Sequence, residues 1–351
     1  MHGVTFAIMR TVERLDDKIV ETTVTRKTYK QVWPAYNAAQ VHEKELVQLL
    51  LRELCSGIVE PPQGRGRPRM PLSDLVYAIV AKVYSTMSSR RASSDVRDAA
   101  AKGHMTKPAH YNTITSRMND KRLAPLMKRL VEDAARPLRS LERSFAADAT
   151  GFGTSVFDRW YDHKWGKVQK RRTWLKAHAL VGTRTNVIAS IEVTEGNRND
   201  SPELAGLVNG AVANGWKLDE VSADKQYLSN ANLATIEAAG AVPYIPLKVN
   251  SGEGRTPAWR RLWGLFWYKR ATFDARYHQR SNVESSFSAI KRLFGGNVRA
   301  KVFEAQRVEV LAKCLAYNLT CLVHEIFEAG FAREFRAREA VAQELEAAGV
   351  F

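Results

Sequence analysis

The chain has 351 residues, of which 45% are apolar, enough for one large domain plus a smaller one with an ordinary buried core. Its 53 Lys and Arg residues against 37 Asp and Glu give a formal net charge of +16, which favours nucleic acid over membrane as the partner. No run approaches the roughly eighteen apolar residues of a spanning helix, no signal-peptide core follows Met1, and the three cysteines lack zinc or disulfide-framework spacing, so we expect a cytoplasmic protein with buried thiols.

Residues 1–67 are predicted to form an N-terminal arm and a first helix. The first forty residues mix Thr, Lys, Arg and Val without a clear period, which fits either a short strand-like arm or a tail. Leucines at helical spacing then predict a helix over residues 41–55. The alternating Gly and Arg residues at 64–69 form a basic linker that could lie along phosphates.

Residues 68–142 are predicted to form a helical DNA-binding domain. The pattern indicates helices over residues 71–87, 94–103, 107–120 and 124–141. Short helices rich in Arg suit a helix-turn-helix reader, although similar helices also serve in structural bundles. Arg117, on the third of these helices, is the candidate for a DNA contact.

After residue 142 the helical period gives way to strands. Strands are predicted over residues 144–149, 172–181, 186–194, 218–223 and 242–246, with helices over 202–212 and 229–239 between them. This order predicts an α/β fold with a mixed sheet flanked by helices. A long helix over residues 272–293 and a helix pair over 304–327 and 331–348 are predicted to follow.

The long helix carries four polar side chains at helical spacing. At roughly 100° per residue, Tyr277, Arg280, Glu284 and Lys291 fall within about a 60° arc, beside an apolar stripe that begins at Val283. Such a face could bind a divalent metal through its carboxylate and a nucleic-acid backbone through its cations. The alternative is a solvated surface helix with an Arg–Glu pair at i,i+4.

Two aspartates occupy matching positions on predicted strands. Asp148 lies on a strand of small and apolar residues that ends at Gly151, and Asp224 follows a buried strand directly. Each could instead serve in a turn or a helix cap. Together with Glu284 they could bind two Mg²⁺ ions roughly 3.5–4 Å apart, the arrangement used for phosphoryl transfer.

The acidic residues form three motifs in a characteristic order. They are Asp148-Ala149-Thr150-Gly151-Phe152, then Ala223-Asp224-Lys225-Gln226-Tyr227, then Tyr277, Arg280, Glu284 and Lys291 with fixed intervals. With these motifs the chain resembles the DDE transposases of bacterial and archaeal insertion sequences. The turn at residues 195–201 and the strand at 241–246 are also similar to that family. The resemblance is strong over residues 145–303 and looser over 68–122.

The resemblance implies an RNase H-like catalytic domain over residues 143–303, with C-terminal helices over 304–351. It implies that Asp148, Asp224 and Glu284 are the catalytic metal ligands. The ions would be two Mg²⁺, with Mn²⁺ as a substitute. DNA contacts are expected from Tyr277, Arg280, Lys291, Tyr227, Arg171, Arg172 and Arg117.

The expected partners are the double-stranded DNA of the element ends and the target. The family also implies a homodimer in the synaptic complex and a prokaryotic cytoplasmic protein associated with the nucleoid, with no membrane partner. Two rival functions stay open. One is a domesticated, non-catalytic DNA-binding protein, and the other is an RNase H-like nuclease that hydrolyses without joining.

Three further features of the sequence bear on the site, and two of them allow alternative interpretations. Sixty residues separate Asp224 from Glu284, too few for the large β-rich insertion of some relatives. In this interval Trp259, Trp263 and Trp267 recur at i,i+4,i+8, which favours core packing over stacking on a displaced base. His178, in the middle of a strand, could lie near the metals or be an ordinary buried histidine.

Overall fold

The structure is a computed structural model that describes residues 4–15, 18–29, 32–66, 68–154, 164, 174–254 and 256–329. Its strands are β1 Val4–Leu15, β2 Lys18–Tyr29, β3 Ser144–Gly153, β4 Trp174–Gly182, β5 Ile188–Glu195, β6 Glu220–Ala223 and β7 Val242–Tyr244. Its helices are α1 Trp33–Ser56, α2 Leu72–Tyr84, α3 Ser93–Ala101, α4 Tyr111–Arg117, α5 Leu123–Ala135, α6 Glu203–Ala213, α7 Asn230–Ala238, α8 Pro257–Tyr268, α9 Arg270–Tyr277, α10 Ser281–Phe294 and α11 Phe303–Ala329.

Five strands form one mixed sheet in the order β5-β4-β3-β6-β7. The long strands β3, β4 and β5 pair antiparallel, whereas β6 and β7 add to β3 in parallel. The first half of β3 carries Phe145, Ala146 and Ala147, all buried, because the central strand of a sheet covered on both faces must be apolar and small. Helices flank this sheet, so the α/β class predicted from the sequence is confirmed.

The long helix α11 connects the sheet to the helical region. It packs against α1, α2, α5 and β5. Its fully buried Asn318 donates to the carbonyl oxygens of Val131 on α5 (2.8 Å) and Ile188 on β5 (2.9 Å), and it accepts from the Ile188 amide. These bonds fix where α11 crosses the sheet, because each satisfies a polar group that burial would otherwise leave unpaired.

By length and composition alone, the stretch Phe303–Glu328 could cross a membrane. However, 72% of its apolar window is buried inside the protein, as expected of a core helix. The apolar face therefore already has its partners within this fold.

The N-terminal segment resolves one open alternative. Strands β1 and β2 pair antiparallel from Val4 with Tyr29 to Leu15 with Lys18, so the arm is a β-hairpin. Helix α1 begins at Trp33, earlier than predicted, because Pro34 occupies its first turn, where a missing amide proton is tolerated. The C-terminal helix predicted over residues 331–348 falls outside the described residues.

Candidate active site

The two aspartates lie side by side at the end of a parallel ladder. The last paired position of β3 and β6 is Ala147 with Ala223, and Asp148 and Asp224 are the next residue on each chain segment. Neighbouring strands lie about 4.8 Å apart, so both carboxylates are brought to the same point of the sheet. Asp224 also caps the 3-10 turn Lys225–Tyr227, because its Oδ1 accepts from the Lys225 amide. The capping role considered from the sequence is therefore present, and it leaves the second carboxylate oxygen available.

Arg280 joins the strand carboxylate to the helix carboxylate. Its Nη1 donates to Asp148 Oδ2 at 2.9 Å, and its Nη2 donates to Glu284 Oε1 at 2.6 Å. The planar guanidinium suits this bridge because its donors point in fixed directions. Asp148 is largely enclosed, with 22% of its side chain exposed, whereas the Glu284 side chain is 57% exposed. The Asp148 carboxylate is therefore mostly enclosed at the sheet, whereas the Glu284 carboxylate is accessible to solvent.

The predicted continuous helix over residues 272–293 is wrong. Helix α9 ends at Tyr277, a 3-10 turn spans His278–Arg280, and α10 begins at Ser281. The break lies where the chain docks on the β4–β5 turn. There Thr183 Oγ1 donates to Gln279 Oε1 (3.4 Å), and the Asn282 side-chain amide donates to the Thr183 carbonyl. Tertiary contacts thus override the local helical preference.

The β4–β5 turn is itself held by a buried carboxylate. Glu142, 1% exposed, accepts from the amides of Arg184 (2.8 Å) and Thr185 (2.9 Å). Gly182 must lack a side chain here, since a Cβ would lie 2.5 Å from Glu142 Oε2. The turn therefore gives α10 a rigid base, and α10 positions Glu284.

Electrostatics at the site favour an added cation. Burial raises the pKa of Asp148, and the Glu284 and Asp224 carboxylates raise it further, against the Ala149 amide and Arg280, which lower it. A carboxylate enclosed among other carboxylates is unfavourable unless positive charge balances it. In this structure Arg280 supplies that charge.

Tyr227 lies beneath the carboxylates. It is 1% exposed, and its hydroxyl has no hydrogen-bond partner among the residues that the structure describes. Burial raises the pKa of this hydroxyl, and so do the carboxylates of Asp148, Asp200 and Asp224. The DNA contact predicted for Tyr227 is not available from this position. The 3-10 turn that starts at Asp224 rotates the ring into the core.

The oxygen donors of this site suit a divalent metal. Three carboxylates are the hard oxygen ligands that Mg²⁺ and Mn²⁺ prefer. Within the described ranges, no three His, Cys, Asp or Glu side chains already stand in a metal-binding group. Arg280 pairs with one oxygen atom of Asp148 and with one of Glu284. The carboxylate oxygens therefore suit a divalent metal, and in this structure the Arg280 guanidinium supplies the positive charge beside them.

Tyr277 packs beside Arg280, and Lys291 packs beside Phe152. The Arg280 guanidinium carbon lies 5.9 Å from the centre of the Tyr277 ring. Lys291 Nζ lies 5.6 Å from the centre of the buried ring of Phe152, the last residue of the first acidic motif. Lys291 forms no hydrogen bond or ion pair with any described residue, and burial lowers the pKa of its ammonium.

The loop after α10 ties this helix to β3. Gly295 ends the helix with φ +83°, a left-handed conformation that favours glycine. The Gly153 amide at the end of β3 donates to the Gly296 carbonyl (3.0 Å), and the Val298 amide donates to the Gly153 carbonyl (2.8 Å). The strand of Asp148 and the helix of Glu284 are therefore fixed to each other at both ends.

His178 belongs to the sheet interior. It is fully buried, its Nε2 lies 2.8 Å from Thr194 Oγ1, and burial lowers its pKa. Its Nδ1 lies 3.6 Å from Asp200, which also accepts from Lys176 Nζ at 2.9 Å. These contacts match the ordinary buried histidine of the two alternatives, and they anchor the turn at residues 195–201.

The remaining predicted DNA contacts are spread over the chain. Arg117 is exposed at the end of α4 in the helical region. Arg171 and Arg172 lie outside the described residues. Trp267 on α8 is 57% exposed, so the core packing predicted for this tryptophan is wrong, although Trp259 packs partly against the core. Trp267 packs only partly, against the Trp263 and Phe266 rings of its own helix.

Two buried lysines were not identified from the sequence. Lys313, 2% exposed, lies 5.5 Å from the Phe152 ring centre, and Lys82 is 6% exposed. Each is a single charge within an apolar helical run, an arrangement uncommon for lysine. A lone lysine within an apolar helical run is therefore the sequence feature that indicates these two buried residues.

Comparison with known proteins identifies the family. The model of the transposase DDE domain matches residues 139–319, more than half of the chain, including the five-stranded sheet and the three carboxylates. The chain is also similar to an uncharacterized protein of Aquifex aeolicus (strain VF5), with 26% identity over 293 residues, covering 80% of this chain and 88% of that protein. The family match agrees with the mixed five-stranded sheet flanked by helices. The chain therefore belongs to the DDE transposase family, with an RNase H-like catalytic domain.

Proposed function

We propose that the protein binds the ends of an insertion sequence and catalyses DNA strand cleavage and strand transfer with a divalent metal. The observation that carries this proposal is the meeting of Asp148, Asp224 and Glu284 at one point, with Arg280 between two of them. Strand-end aspartates and a helix glutamate have no structural reason to converge with cations around them. A two-metal phosphoryl-transfer site uses carboxylates to hold its ions and cations to hold phosphate, which this composition supplies.

We assign metal binding to Asp148, Asp224 and Glu284. Two Mg²⁺ ions, or Mn²⁺ as a substitute, would supply activation of the attacking oxygen and stabilisation of the departing 3′-oxygen. The protein residues bring the carboxylates together, enclose Asp148 and keep Tyr227 beneath them. DDE family members generally use divalent metals, which supports this assignment.

We assign phosphate binding to Arg280 and Lys291. Arg280 is paired with two carboxylates here, so it can turn to a phosphate only when another positive charge balances Asp148 and Glu284. Lys291 has no carboxylate partner within the described residues and is already available. Tyr277, packed beside Arg280, is assigned to the DNA near the cleaved end.

We propose that the helical region at residues 68–142 reads the DNA ends. Arg117 is exposed there, and the net charge of +16 supplies a field for a polyanion. The DNA partners are the element ends and the target, which are joined in a homodimeric synaptic complex in the prokaryotic cytoplasm. The catalytic unit spans residues 143–303.

The proposal is tested by incubating a labelled duplex that carries the DNA flanking the gene with the full chain and Mg²⁺ or Mn²⁺. Glu284→Gln keeps the shape and an acceptor for Arg280 but removes the charge, so we expect binding to persist while cleaved and joined products disappear. Glu45→Gln, an exposed glutamate on α1, is the matched control and should retain both products. Binding without cleavage by the unaltered protein would favour a regulatory protein, and hydrolysis without joining would favour a nuclease.

A further inference from the structure

A second basic site opens beside the catalytic helix. It is a cleft with a volume of about 360 Å³, bounded by the end of α2, the loop after α10 and the first half of α11. Its charged lining residues are Lys82, Arg292, Arg299, Lys313 and Glu309. Four cations thus face one carboxylate around an open volume.

The floor of the cleft is formed by the two buried lysines. Lys313 Nζ donates to the carbonyl oxygens of Gly295 (2.6 Å) and Asn297 (2.7 Å), so its ammonium is satisfied by neutral groups. Lys82 forms no hydrogen bond or ion pair within the described part of the chain. A nearly buried ammonium without a partner is unfavourable, and burial lowers its pKa accordingly. The Glu309 carboxylate partly offsets this effect on the pKa, and an acceptor from outside the chain would stabilise the charged form further.

The carboxylate in the lining does not meet this need. Glu309 Oε2 accepts from the backbone amides of Arg299 (3.0 Å) and Ala300 (2.9 Å). It makes no ion pair with either lysine among the described residues. The charge of Glu309 is thus used to hold the loop that precedes α11, and the cleft keeps an excess of positive charge.

The rim of the cleft leads towards the active site. Arg292 and Arg299 are exposed at its mouth, and Arg292 follows Lys291 directly on α10. Below the rim, Lys291 and Lys313 flank the Phe152 ring at 5.6 Å and 5.5 Å. One aromatic side chain therefore separates the cleft from the cation assigned to the transferred strand.

The opposite wall belongs to the helical region. Arg299 Nη2 donates to the Thr86 carbonyl at 2.8 Å, and Thr86 has φ +56°, which is uncommon for a residue other than glycine. Such backbone conformations persist only where surrounding contacts enforce them. The cleft is thus a fixed junction between the helical region and the catalytic helix.

We propose that this cleft binds a single phosphate of the DNA backbone, between the helical region and the catalytic carboxylates. A phosphate oxygen would accept from Lys82 at the floor and from Arg292 and Arg299 at the mouth. This inference rests on the proposed function, since it places the same DNA. Free phosphate offers the same chemistry, and the test separates the two sources.

The test measures the affinity of the full chain for a labelled duplex over a series of salt concentrations, with EDTA present so that no cleavage occurs. Each phosphate contact contributes about one unit to the slope of log affinity against log salt concentration. Lys82→Met should lower the magnitude of this slope by about one. Lys217→Met, an exposed lysine ahead of β6, is the matched control and should leave the slope unchanged.

Arg292→Gln provides a second variant whose folding is not in question, because Arg292 is exposed and has no partner among the described residues. It should lower the slope as Lys82→Met does. If both variants keep the slope of a protein that binds and cleaves DNA, the inference is wrong and the proposed function stands. If the unaltered protein binds no duplex, both the inference and the proposed function are wrong.

The free-phosphate source is tested by thermal unfolding in inorganic phosphate and in chloride at equal ionic strength. We expect at most a weak stabilisation specific to phosphate, because free phosphate lacks the other backbone contacts that hold a duplex in place. The assignment of the cleft to DNA would be overturned by two results together. Phosphate would stabilise the unaltered protein but not Lys82→Met, and the salt dependence of duplex binding would be the same for both.

Discussion

Asp148 and Asp224 are the first residues after the last paired position of two neighbouring parallel strands, Ala147 with Ala223. The register of a parallel ladder therefore places two carboxylates side by side without any contact between them to hold them there. Repulsion between them is tolerated only because the sheet, with its buried apolar residues, fixes the backbone on which they stand. The ion pairs of Arg280 then balance part of the charge.

The first prediction concerns Arg280. Arg280→Met leaves Asp148 enclosed without its cation, so we expect the free energy of unfolding to fall by about 1–3 kcal/mol in EDTA. We expect Mg²⁺ to restore more stability in this variant than in the unaltered protein, because a bound cation replaces the missing charge. Urea denaturation with and without Mg²⁺ measures both effects.

Arg270→Met is the matched control for this experiment. Arg270 also pairs with a carboxylate four residues on, Asp274 at 2.8 Å, but both side chains are substantially exposed. Its loss should cost about 0.3–0.5 kcal/mol, with no response to Mg²⁺. Equal losses in the two variants would mean that the Arg280 bridge has no special role.

The second prediction is a pH dependence that arises at Lys313. Burial lowers the pKa of Lys313 to about 8, whereas a lysine in the unfolded chain titrates near about 10.4. Because the unfolded chain binds the proton more tightly over this window, Lys313 contributes stability that increases as the pH rises from about 8 towards 10.4.

Lys313→Met should remove that contribution. The stability difference between the unaltered protein and this variant is expected to shift in favour of the unaltered protein between pH 7.5 and pH 10, as measured by urea denaturation. Lys217→Met, an exposed lysine, should show a difference independent of pH. A pH-independent difference for Lys313→Met as well would show that its ammonium titrates normally.

The third prediction concerns the turn at residues 195–201. A Cβ at Gly196 would lie 2.2 Å from Trp174 Cδ1, and Trp174 Nε1 donates to the Gly196 carbonyl. Gly196→Ala should therefore destabilise the protein by about 1–3 kcal/mol, because the same turn also carries Asp200 against the buried His178.

Gly206→Ala tests whether this effect comes from the contact itself. Gly206 lies within α6, and nothing stands within 4 Å of a Cβ built there. The substitution should stabilise the protein by about 0.5–1 kcal/mol, since alanine favours a helix interior over glycine. Thermal unfolding of both variants decides the point, and a similar loss at the two glycines would refute the steric argument.

Several parts of the fold and the site could be predicted because they follow from local pattern. The segments before Asp148 and Asp224 are short runs of small and apolar residues, each followed by a single aspartate, and both are buried strands in the structure. Arg280 and Glu284 are four residues apart, a spacing that places two side chains on the same face of a helix. In the structure they form a direct ion pair. These features need no knowledge of distant residues.

Other features depend on contacts between distant segments and were not accessible from the sequence. The helix break at His278–Arg280 is imposed by the turn around Thr183, almost a hundred residues earlier in the chain. Tyr227 turns into the core because the 3-10 turn after Asp224 directs it there. Lys313 donates to the carbonyl oxygens of Gly295 and Asn297, and no periodicity in the sequence indicates these hydrogen bonds.

The measurement that tests the central claim most directly is strand joining by Asp224→Cys in Mg²⁺ and in Mn²⁺. A thiolate binds Mg²⁺ poorly but accepts softer transition metals, so a metal ligand at this position should respond to the change of ion. We predict that joined product is lost in Mg²⁺ and returns at least in part in Mn²⁺, while Asp224→Asn stays inactive in both. Joining by Asp224→Cys in Mg²⁺ at the level of the unaltered protein would contradict the assignment of Asp224 as a metal ligand.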